Sequence, residues 1–216
     1  MILRLTFICL ACLTLLACTS QRTGKQPAEL VLEVFGGGAD DVTPRFATLL
    51  RAEPPSPALQ VAIIDEQVNT TLLLESRSGN FETWLSSDGA SLTFERGMLH
   101  STRGTNTGLL ASELSEPLAL VLSGRQGTSD RFMTYLDGDD FAVTRTFRCT
   151  VEIEGSRTLT QGNQTISTRL MSEDCRSLGQ SFRNLYWVAT GSGRIVQSRQ
   201  WASDVTGYIS TRVVLK

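Results

Sequence analysis

Beyond the prolines at 54–57, the chain is a succession of short β-branched or apolar runs, and most are closed by a turn signal. This spacing constrains the fold more than any other feature. LQVAII and NTTLLLESR come first; NFETWLSS and SLTFER then flank Asp88-Gly89, a hairpin signal. GMLHSTRG, PLALVLSG, RFMTYLD and DFAVTRTFRCTVEIE continue the series as expected strands. Gly155-Ser156, Gly162-Asn163 and Gly191-Ser192-Gly193 read as further turns, separating SRTLTQ, QTISTRLMSEDC, SFRNLYWVAT and RIVQSRQWAS, with YISTRVVL last. Many short strands at even spacing predict an all-β, mainly antiparallel sheet curled into a barrel or sandwich. In RTFRCTVEIE the alternation puts Phe147, Cys149, Val151 and Ile153 on one face and Arg148, Thr150, Glu152 and Glu154 on the other. One short helix is expected near the N-terminus. Thr43 suits its N-cap, Pro44 its first position, and Phe46, Leu49 and Leu50 share a face.

The first residues, MILRLTFICLACLTLLAC, carry one charge, Arg4, then an apolar run ending at Leu15-Leu16-Ala17-Cys18. That is the pattern of a secretory signal, with an apolar stretch too short to span a bilayer comfortably. The cysteine at the cut resembles a bacterial lipobox, which makes Cys18 the expected lipidation site and residues 1–17 the signal peptide. Several acyl chains hold a protein stably at a membrane, whereas one is marginal. The alternative is an ordinary signal peptide cut near Ala17, with Cys18 incidental. Residues 18–28 form a polar tether that spans about 18 Å as a flexible chain. Residues 29–216 are expected to form a single domain, opening with the strand-like ELVLEVFGG.

The whole chain carries a net charge of −2 and no basic cluster, which argues against nucleic acid as a partner. No second apolar stretch is long enough to cross a membrane. Once Cys9 and Cys12 leave with the signal and Cys18 takes lipid, Cys149 and Cys175 remain. In an oxidising compartment an even pair reads as a disulfide. Closing a loop of about 27 residues contributes roughly 3–4 kcal/mol in the chain-entropy view. Two cysteines without a neighbouring histidine make a poor metal set, so neither a metal nor another cofactor is expected.

No nucleophile elbow, zinc-protease, Walker or dinucleotide motif occurs in its required context. The single histidine, His100, lies at an alternating strand position, where a structural or solvated role is the ordinary one. Asp137, Asp139 and Asp140 surround Gly138 and read as solvated turn carboxylates, whereas glycosidase pairs face each other across a cleft. No catalytic residue is therefore assigned. The aromatics Trp84, Tyr186, Trp187 and Trp201 are candidates for a ligand-facing set, since a Trp face suits a sugar ring or an apolar ligand. Filling a barrel core is the competing role for each.

Three segments carry a wider resemblance. FETWLSSDGASLTFERGMLHSTRGTNTGL at 81–109 places a Trp before Ser-x-Asp-Gly, then Arg-Gly-x-Leu and a later Gly-Leu. NLYWVATGSGRIVQSRQW at 184–201 joins Asn-x-Tyr-Trp to Ser-Arg-Gln-Trp through a glycine turn, and ELVLEVFGGGADDV opens the mature chain. Together they resemble the YjbF family of lipoproteins, which includes those of group 4 capsule operons. The departures are the glycines at 36–38 and the residues TNT at 105–107, both in loops. The resemblance implies a barrel-like antiparallel fold facing the periplasm, a place in capsule or exopolysaccharide production, and no catalytic residue to transfer.

The leading expectation is thus a non-enzymatic outer-membrane lipoprotein that binds polysaccharide or export proteins. Thr19 follows the cysteine, where Asp would resemble an inner-membrane retention signal. Two rivals stand beside it: a carrier cradling a lipid in a half-open barrel, and a glycan-processing enzyme using the Asp137–Asp140 turn. A deep apolar cavity would favour the carrier, facing carboxylates the enzyme, and a filled barrel the accessory role.

Overall fold

The computed structural model describes residues 42–105, 108–136, 139 and 141–214. Helix α1 (Pro44–Leu50) begins at the expected proline, and Phe46 is buried. Leu49 and Leu50 pack with Phe46 against Leu73 and Leu85, so the predicted apolar face is the one that docks. Thr43 sits at the N-cap with extended backbone but makes no side-chain capping bond.

Among the described residues twelve strands follow: β1 (Ala58–Ile63), β2 (Val68–Ser78), β3 (Phe81–Leu85), β4 (Ser91–Glu95), β5 (Met98–Arg103), β6 (Leu109–Glu113), β7 (Gly127–Leu136), β8 (Ala142–Gln161), β9 (Gln164–Ser177), β10 (Gln180–Ala189), β11 (Ile195–Ser203) and β12 (Gly207–Val213). They form one sheet in the order β5-β4-β3-β2-β1-β12-β11-β10-β9-β8-β7-β6, antiparallel throughout. Each described strand lies beside its neighbours in sequence, and β1 pairs with β12. The one break in the ring of ladders falls mid-sequence, between β5 and β6.

Side chains seal that break. Leu109 N–H of β6 donates to Thr102 Oγ1 of β5 at 3.1 Å. Further along β5, Gln200 of β11 reaches across the interior; its Oε1 accepts from Leu99 N–H at 2.8 Å and its Nε2 donates to Gly97 O at 3.0 Å. The exposed edge groups of β5 thereby find partners without a twelfth ladder. The result is a barrel-like sheet that is nearly closed.

The interior is filled. One apolar cluster gathers Phe147, the cysteines, Phe182 and Trp201 with Leu99 and Trp84; Phe182 stacks on Trp201 at 4.6 Å between ring centroids. A second gathers Met98, Val151, Met171, Tyr186 and Val188 beneath helix α2 (Ser115–Ser123).

Helix α2 corrects the sequence reading, which took PLALVLSG as a strand. A short apolar run fits either period. Here Pro117 is tolerated in the first turn, Glu116 favours the N-terminus, and Gly124 adopts the left-handed conformation (φ 68°) that ends the helix. Arg169 of β9 adds donors to the carbonyls of Val121 and Leu122. Leu118 and Val121 then face the core at helical spacing. Gly155-Ser156 is likewise not a turn. β8 runs through it, and a register shift between Ile153 and Gly155 marks a bulge. Phe147, Cys149 and Val151 point inward as expected, but Ile153, next to the bulge, is 42% exposed. The other expected turns hold, and β6 is a strand that the turn signals around it concealed.

Candidate functional site

The inner face carries a polar layer between the two apolar clusters. Arg131 of β7 and Glu173 of β9 are both fully buried and pair at 2.8 Å. The same carboxylate oxygen accepts from Asn184 Nδ2 at 2.9 Å and from the Tyr186 hydroxyl at 2.7 Å. Asn184 Oδ1 in turn accepts Trp201 N–H at 2.8 Å. Burial would lower the Arg131 pKa, but Glu173 and Tyr186 outweigh it and hold it above its ordinary value. Burial, with the charge of Glu173, holds the Tyr186 phenol well above its usual range, so it stays a donor. Nothing in this layer reaches solvent, and its chemistry is cohesion. The same carboxylate lies beside the disulfide, where oxygen and sulfurs fall within 4.8 Å of one another. Those sulfurs are bonded to each other and offer no thiolate to a metal.

Of the solvent-facing hollows, two bring aromatic and basic side chains together. On the outer face, strand register aligns one residue from each of five strands: Thr71 of β2, Gln60 of β1, Arg212 of β12, Gln197 of β11 and Trp187 of β10. At the usual strand spacing this row is about 19 Å long. Arg212 Nε donates to Gln197 Oε1 at 2.7 Å. A parallel row runs through Asn69, Ala62, Ser210, Arg199 and Leu185. Arg199 lies over the Tyr208 ring at 3.7 Å. The two rows bound a hollow of about 630 Å³ in which Trp187 is half-buried. Planar amides and guanidinia beside an aromatic face are the groups that recognise sugar hydroxyls and ring faces.

The second surface is the mouth of the curled sheet, a cavity of about 340 Å³. Trp84, Phe94 and Leu59 line it from the core, and Arg77, Arg96 and Arg194 stand around it with Glu82 and Asn80. Glu82 pairs with Arg77 at 2.9 Å and lies 3.8 Å from Arg194. Arg96 occupies the left-handed region (φ 48°), a conformation that costs a non-glycine residue roughly 1–2 kcal/mol. Its neighbour Gly97 sits so close to β11 that a Cβ there would lie 2.7 Å from Ile195 Cβ, so the β4–β5 turn is pinned against the far wall.

The sequence-derived residues fall as follows. Cys149 and Cys175 are direct cross-strand partners and form the expected disulfide, with 4.0 Å between their Cα atoms. Of the four aromatics, Tyr186 is wholly buried on Glu173 and Trp201 stacks in the core, so neither faces solvent. Trp84 is buried with an edge on the mouth, and Trp187 alone lies on the outer face. His100 is the bulged residue of β5, edge-on to Phe81 at 5.0 Å. Asp139 is in an exposed turn, while Asp137, Asp140, Cys18 with its signal and tether, and the expected strand ELVLEVFGG lie outside the described residues. The Arg131–Glu173 layer and the outer row escaped sequence reading because both depend on register between distant strands. The alternating polar positions of β11 and β12 were the only local sign.

The chain is thus a filled, nearly closed antiparallel barrel with polar and basic side chains on its outer face and at its mouth. The model of the YjbF family, described as group 4 capsule polysaccharide lipoprotein gfcB, matches residues 29–214, and the chain belongs to that family. Among solved structures, the hypothetical lipoprotein YmcC from Escherichia coli (K12) is similar, with a TM-score of 0.67 at 20% identity over 87% of this chain and 94% of that one. That likeness supports the fold. No curated protein matches by sequence.

Proposed function

We propose that this protein is a non-enzymatic accessory of capsule or exopolysaccharide production, lipid-anchored through Cys18 at the outer membrane and facing the periplasm. Its task is to hold polymer on the outer row that runs from Thr71 to Trp187. The row itself carries this reading: five strands contribute one outward residue each, and their alignment offers a sugar chain a continuous polar track ending on an aromatic face. Binding without turnover needs no acid–base pair, and Asp139 sits in an exposed turn. The filled interior favours this role over a lipid carrier, which needs an apolar cavity.

The test is polymer purified from the producing cell, titrated onto wild-type protein and Trp187→Ala. Affinity should fall in the variant while the fold persists, and equal affinity would sink the outer row as the site. Polymer export from a deletion strain should be restored by wild type but not by Cys18→Ser, which should also fail to incorporate labelled palmitate. Equal palmitate labelling of both proteins would remove the anchor from the proposal.

A further inference from the structure

We infer that the mouth of the barrel is a second site, which takes the acidic units of a glycan chain such as uronate carboxylates. The glycan part of this inference rests on the polymer reading above; the charge part rests on the mouth itself. Three guanidinia surround the cavity, and Glu82 is the only acid among the described residues lining it. Glu82 is engaged by Arg77 and lies near Arg194, whereas Arg96 meets no acid among the described residues. The cavity therefore carries a surplus of positive charge that an anionic ligand would balance. A guanidinium engages a carboxylate through two parallel hydrogen bonds, which fixes orientation as well as charge.

Two further observations point the same way. Arg96 is held in a conformation that side chains avoid, at a turn pinned to β11 by the close approach of Gly97 to Ile195. Positive φ at both Arg96 and Gly97 is the geometry of a two-residue hairpin turn, and it sets Arg96 at the rim of the cavity. The mouth also continues into a second hollow of about 540 Å³ that shares Ser192, Arg194 and Val196 with it. This extension runs past the hydroxyl-bearing Thr165, Ser167 and Thr190 and includes no acid among its described lining residues. The two hollows together make an elongated groove, cationic at the mouth and hydroxyl-lined beyond it. That shape suits a chain of sugar units better than a single small anion.

The experiment uses the full-length lipidated protein in a zwitterionic detergent, which avoids sugar-headed detergents. Oligogalacturonate, galacturonic acid and a neutral maltooligosaccharide are titrated by calorimetry. Oligogalacturonate should bind, with an affinity that falls as salt rises. The neutral oligomer should not compete, and the single acid should bind far more weakly. Arg96→Gly removes the charge while relieving the backbone, so folding should be intact and oligogalacturonate affinity should drop about tenfold or more. Arg103→Gln, at the far end of β5 from Arg96 and outside both hollows, should leave that affinity unchanged, which separates the mouth from surface charge in general. Unchanged affinity in Arg96→Gly, or displacement of oligogalacturonate by the neutral oligomer, overturns the inference. Galacturonic acid binding as tightly as its oligomer overturns the chain and leaves only an anion site. If Trp187→Ala rather than Arg96→Gly abolishes binding, the acidic chain lies on the outer row and the mouth proposal fails alone.

Discussion

Arg131 and Arg96 belong to the same curled sheet and meet opposite fates. Arg131 points inward, is fully buried, and has its charge neutralised by Glu173 at 2.8 Å. Arg96 stands at the mouth, exposed and strained, with no acid beside it among the described residues. Placing a guanidinium inside a barrel costs desolvation that only a close anion repays, and such a pair holds a fold together without being free to bind anything. A guanidinium at the rim keeps its hydration and contributes little to stability, so its charge remains for a ligand. Charge alone thus does not mark a site in this molecule; the face of the sheet on which it falls decides.

The comparison breaks most sharply at Glu173. Glu173→Ala strands the buried Arg131 and should cost about 3–5 kcal/mol in urea unfolding. Replacing both residues together, Arg131→Met with Glu173→Leu, should recover most of that loss. Glu173 Oε1 and Arg131 Nε have no hydrogen-bond partner among the described residues, so the native layer is not fully satisfied. A double variant as unstable as the single one would show that the layer's other hydrogen bonds matter more than its charges.

Tryptophan offers the same contrast between faces. Trp201→Ala, which empties a stacked core position, should cost roughly 3–5 kcal/mol. Trp187→Ala should cost clearly less in thermal unfolding and act on polymer affinity instead. Equal losses would erase the distinction between inside and outside.

Next in size is the disulfide beside Glu173. The paired variant Cys149→Ala, Cys175→Ala should lose about 3 kcal/mol in the chain-entropy view, read as a lower urea midpoint. Little or no shift would place the work of holding β8 to β9 on their ladder alone.

The smallest effect concerns His100. Burial lowers its pKa below 6.5, against the opposing influence of Glu95 and Glu113. The folded state then binds fewer protons than the unfolded one in mild acid, so stability should decline as pH falls through about 6.5. His100→Gln should flatten that part of the pH–stability curve. A wild-type curve that rises toward acid would reverse the assignment.

Much of this fold was legible because strand period and turn chemistry are local. Asp88-Gly89 and Gly162-Asn163 announced their hairpins, and the alternation around Cys149 gave its inward direction. Residues 115–123 were not legible, because six apolar residues in a row satisfy either period and tertiary packing made the choice. β8 looked like two strands because a glycine that permits a bulge also permits a turn. Family membership was legible from motifs spread over the chain, among them Trp84 and Trp201. The two surfaces that carry the functional proposals were not, since no local pattern tells which side chains from β2, β1, β12, β11 and β10 come to share a row.

The pairing of β1 with β12 bears on the order of events in folding. Each other ladder joins neighbours in sequence and closes a short loop, whereas β1 and β12 meet across most of the chain, as in Leu59 opposite Val213. Loop closure of that length is entropically costly before any contact rewards it. The hairpins on either side therefore have reason to form first, with the β1–β12 ladder zipping late. Substitutions that weaken this ladder should then speed unfolding far more than they slow refolding. The outer row of candidate sugar-binding groups crosses that same junction between Gln60 and Arg212, so it exists only once the last ladder has formed.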